Sequence, residues 1–496
     1  MPRTVSPSDM KALEQRFMAQ TGVPGALLME HAAHGVNAAV ERCAGPDDTV
    51  LYLCGPGANG GDGYAAARIR AQRGGRVVIR ETCAEAKGDA LMNRDLCRLL
   101  GLDIAPASAP LPPCAVVVDA LFGTGLSRPV TGDTLRLIRE VNALDVPVIA
   151  VDIPSGLSGA DGQILGDAVR ATETVTFHRV KSGLFLGSGP DCTGRVTLQP
   201  IIIPAEYGDE PGFRYLPEDA LKRLPPRRRT GNKGTFGRVL IFAGSPGMAG
   251  AAAFCARACI RAGAGLTRLL VFRSQLPLMQ LLVPGATCAV IPDDADADTL
   301  RAVAGEALGQ SSAAVIGCGL SADPRLLPVL AAFAAAPCPV VWDADALNLL
   351  AAHPEAVRLP ETAMMTPHPG EAARLLGTTV AAVTADAPAA LRQLREKFGC
   401  SVLLKGARTL MTDGADIAVN PCGTPAMAKG GSGDVLSGIL AALAAQYPSM
   451  DALTRLQYAA LIHARAGLLA EERLGECCVT PEALIDAIRL DDASQE

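Results

Sequence analysis

The sequence predicts an α/β protein of two domains, each built on a covered, mainly parallel sheet. Three observations lead there. Short β-branched or apolar runs alternate with helix-length segments along the chain, several runs end at glycine-rich or acidic turns, and the alternation stops once, near residue 215, before resuming. The length of 496 residues, at roughly 150 residues per domain, gives about three domains, and larger α/β domains reduce that to two. Hydrophobic residues make up 49%, enough to bury large cores without aromatic bulk.

The first series runs through Val50-Leu51-Tyr52-Leu53-Cys54, Arg76-Val77-Val78-Ile79, Ala115-Val116-Val117-Val118-Asp119, Val146 to Asp152, and Thr174-Val175-Thr176-Phe177. In open α/β sheets ligands bind beyond the carboxyl ends of the strands, so Asn59, Asp119 and Asp152 are expected on one rim. After Ile201-Ile202-Ile203-Pro204 come Pro211-Gly212, Pro225-Pro226 and Arg227-Arg228-Arg229, which read as a boundary with a solvated basic face. The second series begins at Arg238-Val239-Leu240-Ile241-Phe242-Ala243-Gly244. It continues through Ala313 to Gly317, Val340-Val341-Trp342-Asp343 and Met364-Met365-Thr366, and reaches Ser401-Val402-Leu403-Leu404-Lys405-Gly406. Asp434 to Leu440 reads as a buried helix opening from a glycine loop.

A net charge of −6 supplies no general attraction for nucleic acid or anionic membranes. The N-terminus lacks an apolar signal core, and no apolar stretch reaches the roughly 18 residues of a membrane span, so a cytoplasmic protein is expected. Fifteen cysteines occur without paired metal-ligand spacing, and Cys54, Cys255 and Cys338 lie in apolar runs, as small core residues do.

Two glycine-dense segments close on aspartate: Gly57-Ala58-Asn59-Gly60-Gly61-Asp62-Gly63 and Lys429-Gly430-Gly431-Ser432-Gly433-Asp434. Residues without Cβ allow positive φ and close anion approach at a helix start, so each reads as a phosphate cradle. Gly433-Asp434 adds a carboxylate to an anion hole, the pairing that phosphoryl transfer needs, although Asp at that place also serves as a plain helix cap. His368, clamped between Pro367 and Pro369 at a strand end, reads as a fixed donor or acceptor, and Lys405 as a point charge for a nucleotide phosphate. Asp119, Asp152 and Ser155 put oxygen ligands near Asn59, a set that suits a hard cation.

This combination resembles the bifunctional NAD(P)H-hydrate repair enzymes over nearly the whole length. The N-terminal part carries Asn59-Gly60-Gly61-Asp62-Gly63, Asp119-Ala120-Leu121-Phe122-Gly123-Thr124-Gly125-Leu126, Val151-Asp152-Ile153-Pro154-Ser155-Gly156 and Lys181-Ser182-Gly183-Leu184. The C-terminal part is similar to the dehydratase through Gly244-Ser245, Ala249-Gly250-Ala251, Asp343-Ala344-Asp345-Ala346-Leu347-Asn348, the His368 turn, Lys405-Gly406 and the Asp434 loop. The resemblance implies a Rossmann-like three-layer epimerase domain over 1–215 and a ribokinase-like dehydratase domain over 216–496. It implies that R and S hydrates of NADH and NADPH are interconverted and that the S form is dehydrated at the expense of ADP.

Carried over residue by residue, it assigns the hydrate to Ala58, Asn59, Gly60, Gly61 and Asp62, to Gly123, Thr124, Gly125, Leu126, Ser127, Arg128 and Pro129, and to Asp152. Potassium is assigned to Asn59, Asp119 and Ser155. In the dehydratase it assigns the hydrate to Ala251, Gly319, His368 and Asp434, and the nucleotide to Lys405, Gly406, Ala407, Arg408, Thr409 and Gly433. Asp434 and Asp152 are the expected catalytic groups, Mg²⁺ is expected with the phosphates of ADP, and a homo-oligomer is expected. Two departures stand out: Ala58 where the family often has asparagine, and Cys318 in Gly317-Cys318-Gly319-Leu320 where proline is usual, which frees φ there. The competing readings are a ribokinase-like small-molecule kinase with an accessory nucleotide-binding domain, and a non-catalytic nucleotide sensor.

Overall fold

In the computed structural model, residues 1–82 and 85–490 are described. The chain divides into two compact units, one of residues 3–213 and one of residues 1–2 with 214–496. No helix among the described residues is long and apolar enough to cross a membrane.

The first unit holds seven strands: β1 Val50–Cys54, β2 Val77–Glu81, β3 Asp103–Pro106, β4 Val116–Ala120, β5 Val148–Val151, β6 Glu173–Phe177 and β7 Arg195–Gln199. Their order is β3-β2-β1-β4-β5-β6-β7 and every pairing is parallel. Both faces are covered, which is why the central strands read as continuous apolar runs. Val50, Tyr52 and Cys54 enter one core with the helices Gly25–Glu41 and Ala58–Gln72, while Leu51 and Leu53 enter another with Leu137, Ile138 and Val141. The strand order reverses direction between β1 and β4, so the loops leaving those two strands diverge and open a crevice.

The second unit repeats the plan with nine strands: β8 Arg238–Phe242, β9 Leu266–Phe272, β10 Thr287–Ile291, β11 Ala313–Ile316, β12 Val340–Trp342, β13 Met364–Met365, β14 Ser401–Leu404, β15 Leu410–Thr412 and β16 Ile417–Val419. The order is β10-β9-β8-β11-β12-β13-β14-β15-β16, parallel as far as β14, with β15 and β16 added antiparallel. The helix Ser432–Gln446 is apolar all round and buried from Val435 to Ala445. It crosses the helix Ala249–Arg261 so closely that a Cβ on Gly438 would lie 2.2 Å from the Cys255 carbonyl oxygen. Cys54, Cys255 and Cys338 are buried, and Arg227, Arg228 and Arg229 are exposed, Arg227 stacking 4.1 Å over the Phe236 ring.

Candidate active sites

In the first unit the glycine segment is helix rather than loop. Gly57 is the N-cap of Ala58–Gln72, so Ala58, Asn59, Gly60, Gly61 and Asp62 form its first turn. None of the glycines there has positive φ, which corrects half of the reason for expecting them. What they provide is close approach: a Cβ on Gly60 would lie 1.9 Å from the Gly55 carbonyl oxygen, and one on Gly63 2.5 Å from Ala120. The helix start is thereby pressed onto the sheet edge with its free N–H groups facing the crevice.

Asp119, near the end of β4, is fully buried and accepts hydrogen bonds from Ser155 Oγ (2.6 Å), Ser155 N (2.8 Å) and Leu121 N (3.3 Å). Burial pushes its carboxyl up to about 6, with these donors pulling the other way and no cation among the groups that act on it. The Asn59 side chain presses on the loop that follows β4, since a Cβ on Gly123 would lie 2.8 Å from Asn59 Oδ1. Asn59 Nδ2 is buried with no hydrogen-bond partner. Thr124, Gly125, Leu126, Ser127, Arg128 and Pro129 continue that loop, half-buried to exposed, along the same crevice.

Asp152 follows β5 with φ of 66°, a left-handed backbone that Asp tolerates better than most residues. The turn aims its buried carboxylate at Lys181 Nζ, 2.6 Å away, and Thr176 Oγ1 donates to the same oxygen at 3.0 Å. Lys181 is 1% exposed and also donates to the Phe177 carbonyl at 3.0 Å. Burial, then the negative charges of Asp152 and Glu14, raise the Asp62 carboxyl well above the usual range. Glu14, on the helix Pro7–Thr21, is pushed up to about 6 by burial, with the Lys181 charge opposing. One ammonium thus faces three carboxyl groups, and burial with the neighbouring negative charges raises Asp62 well above the usual carboxylate range.

In the second unit the strand ends converge in the same way. A Cβ on Gly319 (φ 61°), in the turn after β11, would lie 2.9 Å from Ala251 Cβ, so these two expected contacts share one wall. Asp343, 1% exposed at the end of β12, is held by Lys405 Nζ on Oδ1 (2.8 Å) and by Ser437 Oγ on Oδ2 (2.7 Å). His368 caps the helix Pro369–Leu376: its Nδ1 accepts from Gly370 N at 2.9 Å, and its own N–H donates to Glu371 Oε2 at 2.7 Å. The neutral ring therefore carries its proton on Nε2. Glu371 Oε2 lies 3.7 Å from Lys405 Nζ, which ties the turn to the lysine.

Asp434 is the third residue of the helix Ser432–Gln446, whose N-cap Gly431 has φ of 97°. Burial, then the charge of Asp343, pushes its carboxyl up to about 7. A Cβ on Gly430 would meet nothing within 4 Å, and one on Gly433 would lie 3.4 Å from Lys405 Nζ. An open anion cradle with an ammonium behind it and a carboxyl poised near neutrality results. Lys405 is an internal counter-ion of Asp343 and Glu371 rather than a free phosphate clamp; burial works against its charge and the two carboxylates outweigh it, holding it up at about 12. Lys429, the first residue of that glycine segment, turns away to the Cys477 carbonyl (2.5 Å). Gly406, Ala407, Arg408 and Thr409 form the turn between β14 and β15. Cys318 does not loosen its loop: it is fully buried, its carbonyl accepts from Gly244 N at 2.8 Å, and its Sγ lies 3.9 Å from Asp343 Oδ2.

Residues 239–490 match the family model described as NAD(P)H-hydrate dehydratase, and residues 25–183 match that of the YjeF-related protein N-terminus. The bifunctional NAD(P)H-hydrate repair enzyme of Moorella thermoacetica is 34% identical over 516 residues, covering 97% of this chain and 95% of that protein. Its counterpart from Escherichia coli is 35% identical over 456 residues, covering 90% and 86%. The crystal structure of ADP/ATP-dependent NAD(P)H-hydrate dehydratase from Bacillus subtilis, co-crystallised with ATP and Mg²⁺, aligns at 25% identity over 56% of this chain and 96% of its own, with a TM-score of 0.48. By its agreement with such relatives along nearly their full length, the chain belongs to the family of bifunctional NAD(P)H-hydrate repair enzymes.

Proposed function

We propose that the N-terminal unit interconverts the R and S hydrates of NADH and NADPH, and that the C-terminal unit dehydrates the S form with ADP as phosphoryl donor. Asp434 carries this reading: a carboxyl poised at about 7 on the first turn of a helix that follows Gly430, where a Cβ would meet nothing within 4 Å and an anion has room. Hydroxide leaves poorly, so the ring hydroxyl is first converted to a phosphate ester. Asp434 takes the hydroxyl proton as the oxygen attacks the terminal phosphorus of ADP, and AMP departs with the bridging oxygen. The helix terminus stabilises charge on the transferring group, with Lys405, paired to Asp343, contributing only its residual field. The carbon–oxygen bond then breaks toward phosphate, the ring nitrogen supplies electrons, and loss of a proton from the neighbouring carbon restores the double bond. His368, with Nδ1 engaged in the cap and Nε2 3.4 Å from Glu371 Oε1, is placed to turn its Nε2–H from that carboxylate to the hydrate.

In the epimerase unit the hydroxyl-bearing carbon is bonded to the ring nitrogen, so the same electron push serves. Asp62, whose carboxyl burial raises above its usual range, is placed as the acid that gives a proton to the departing hydroxyl, which leaves as water and produces a planar iminium. Water adds to the opposite face while Asp152, fixed by Lys181, accepts its proton. Asn59, Asp119 and Ser155 fit potassium, because Asp119 is a buried carboxylate without a cationic partner. The ion would supply fixed positive charge that joins the first helical turn to the loop after β4. Magnesium would accompany the phosphates of ADP, since Asp345 and Glu371 are engaged by Ser321 N (2.8 Å) and His368 N (2.7 Å).

The test is product stoichiometry with S-NADH-hydrate, ADP and Mg²⁺. One AMP and one phosphate per NADH formed is expected, with none from Asp434→Asn. A stable phosphorylated product without NADH would overturn the reading in favour of a kinase.

A further inference from the structure

We infer that the floor of the dehydratase site is a binding site for a thiophilic divalent cation such as Zn²⁺ or Cd²⁺, held by Cys318 Sγ, Asp343 Oδ2 and a carboxylate oxygen of Asp434. The three ligand atoms lie within 4.8 Å of one another, and no other such group of three occurs among the described residues. Cys318 Sγ is 3.9 Å from Asp343 Oδ2. Each ligand comes from a separate, well-anchored place. Cys318 is fully buried in the turn after β11, Asp343 directly follows β12, and Asp434 stands in the first turn of the helix Ser432–Gln446.

The charge distribution favours a cation. Asp343 and Glu371 flank one ammonium, Lys405, whose charge also reaches Asp434; it occupies Asp343 Oδ1 and leaves Oδ2 turned toward the thiol. Ser437 Oγ, 2.7 Å from that same Oδ2, orients the carboxylate as an outer partner. Two carboxylates alone would suit magnesium, but a thiol changes the preference: soft sulfur selects zinc or cadmium over hard cations. Zinc accepts three protein ligands, with water or substrate in the fourth position.

Binding releases the Cys318 proton and whatever fraction of a proton Asp434, poised at about 7, still holds. The Cys318 thiol, held well above its usual range by its Cys255 neighbour and by burial, gives up its hydrogen as the metal–sulfur bond forms, so affinity rises with pH. A metal there also captures Asp434. If Asp434 is the base of the dehydratase, as proposed above, a bound soft cation silences that half and leaves the epimerase half untouched.

The experiment titrates Cd²⁺ into full-length protein carrying Cys43→Ser, Cys477→Ser and Cys478→Ser, since those three thiols are exposed. The readout is the ultraviolet thiolate-to-cadmium charge-transfer band. One equivalent is expected. Cys318→Ser in the same background should weaken binding more than about 100-fold, because even outer partners of a metal cost about 10–100-fold. Asp434→Asn, which keeps the thiol and the pocket volume, should weaken it as well. Cadmium binding that is equal in all three proteins overturns the inference, as does a charge-transfer band that excess Mg²⁺ abolishes. Inhibition by Zn²⁺ is then measured separately: Zn²⁺ is expected to stop dehydration and spare epimerisation, and dehydration by Cys318→Ser to resist it. A charge-transfer site without inhibition would leave the metal site standing and remove Asp434 from the base role.

Discussion

Asp434 occupies a place where a carboxylate ionises reluctantly, buried and close to the charge of Asp343. A base must be ionised to act, so dehydratase kcat/KM is expected to fall as the pH drops through about 7. Asp343→Asn removes the largest charge contribution to that elevation and frees the positive field of Lys405, both of which favour ionised Asp434. The acid limb of the profile should therefore move to lower pH, even as the rate drops. A limb that stays in place would mean that another group titrates. Residue identity was legible unevenly in these sites. Asp434, Asp152, Asp119 and Ser155 announce themselves in motifs at strand or helix ends. Lys181 and Asp343 lie inside quoted motifs, yet their importance comes from ion pairs that only the folded chain closes, at 2.6 and 2.8 Å. Glu14 carries no sequence signal, being one acid on an amphipathic helix whose buried positions are Met10, Leu13 and Phe17.

At the scale of elements, helix placement depends on glycines that let backbones touch. Gly438→Ala would put a Cβ 2.2 Å from the Cys255 carbonyl oxygen, and overpacking of this kind costs about 1–3 kcal/mol. Gly430→Ala meets open space, so a change within about 0.5 kcal/mol is expected, with its effect confined to a higher KM for ADP. Urea denaturation of both variants checks this, and equal midpoints would contradict the close helix crossing. The Ala58–Gln72 helix meets the loop after β4 where Asn59 presses on Gly123, and that loop follows Asp119, whose folded pKa of about 6 lies above its usual value. Folding is therefore favoured by its protonation, an advantage complete below about pH 4 and lost as the pH rises through 6. A cation bound to the ionised form reverses that loss. KCl, compared with choline chloride at equal ionic strength, should raise the melting temperature at about pH 8 and do little at about pH 4.5. Equal shifts at both, or a shift that survives Asp119→Asn, would count against a potassium site there. Strands β1, β4, β5 and β6 were legible because burial on both faces makes them apolar runs. Strands β3 and β7 lie at sheet edges with half-exposed, mixed sequences and give no such run. Strand β9 follows the apolar helix Ala249–Arg261 after a turn of only a few residues, so the two merge in the sequence.

For the whole molecule, two sheets that share one strand order over seven parallel strands, the second with two antiparallel strands added, each place an aspartate in the turn beyond a strand, Asp152 after β5 and Asp343 after β12. The division into two units with separate cores means that each chemistry can be lost without the other. The central claim is that one chain repairs both epimers. Its most direct test is the return of reduced-nicotinamide absorbance from a mixed R and S NADH-hydrate preparation given ADP, Mg²⁺ and K⁺. The wild-type protein is expected to restore it all in one phase and Asp434→Asn none of it. Asp152→Asn should restore the S fraction quickly and the remainder only at the spontaneous epimerisation rate. A wild-type protein that restores only the S fraction would contradict an epimerase in the first unit, and one that restores nothing would contradict the repair reading altogether.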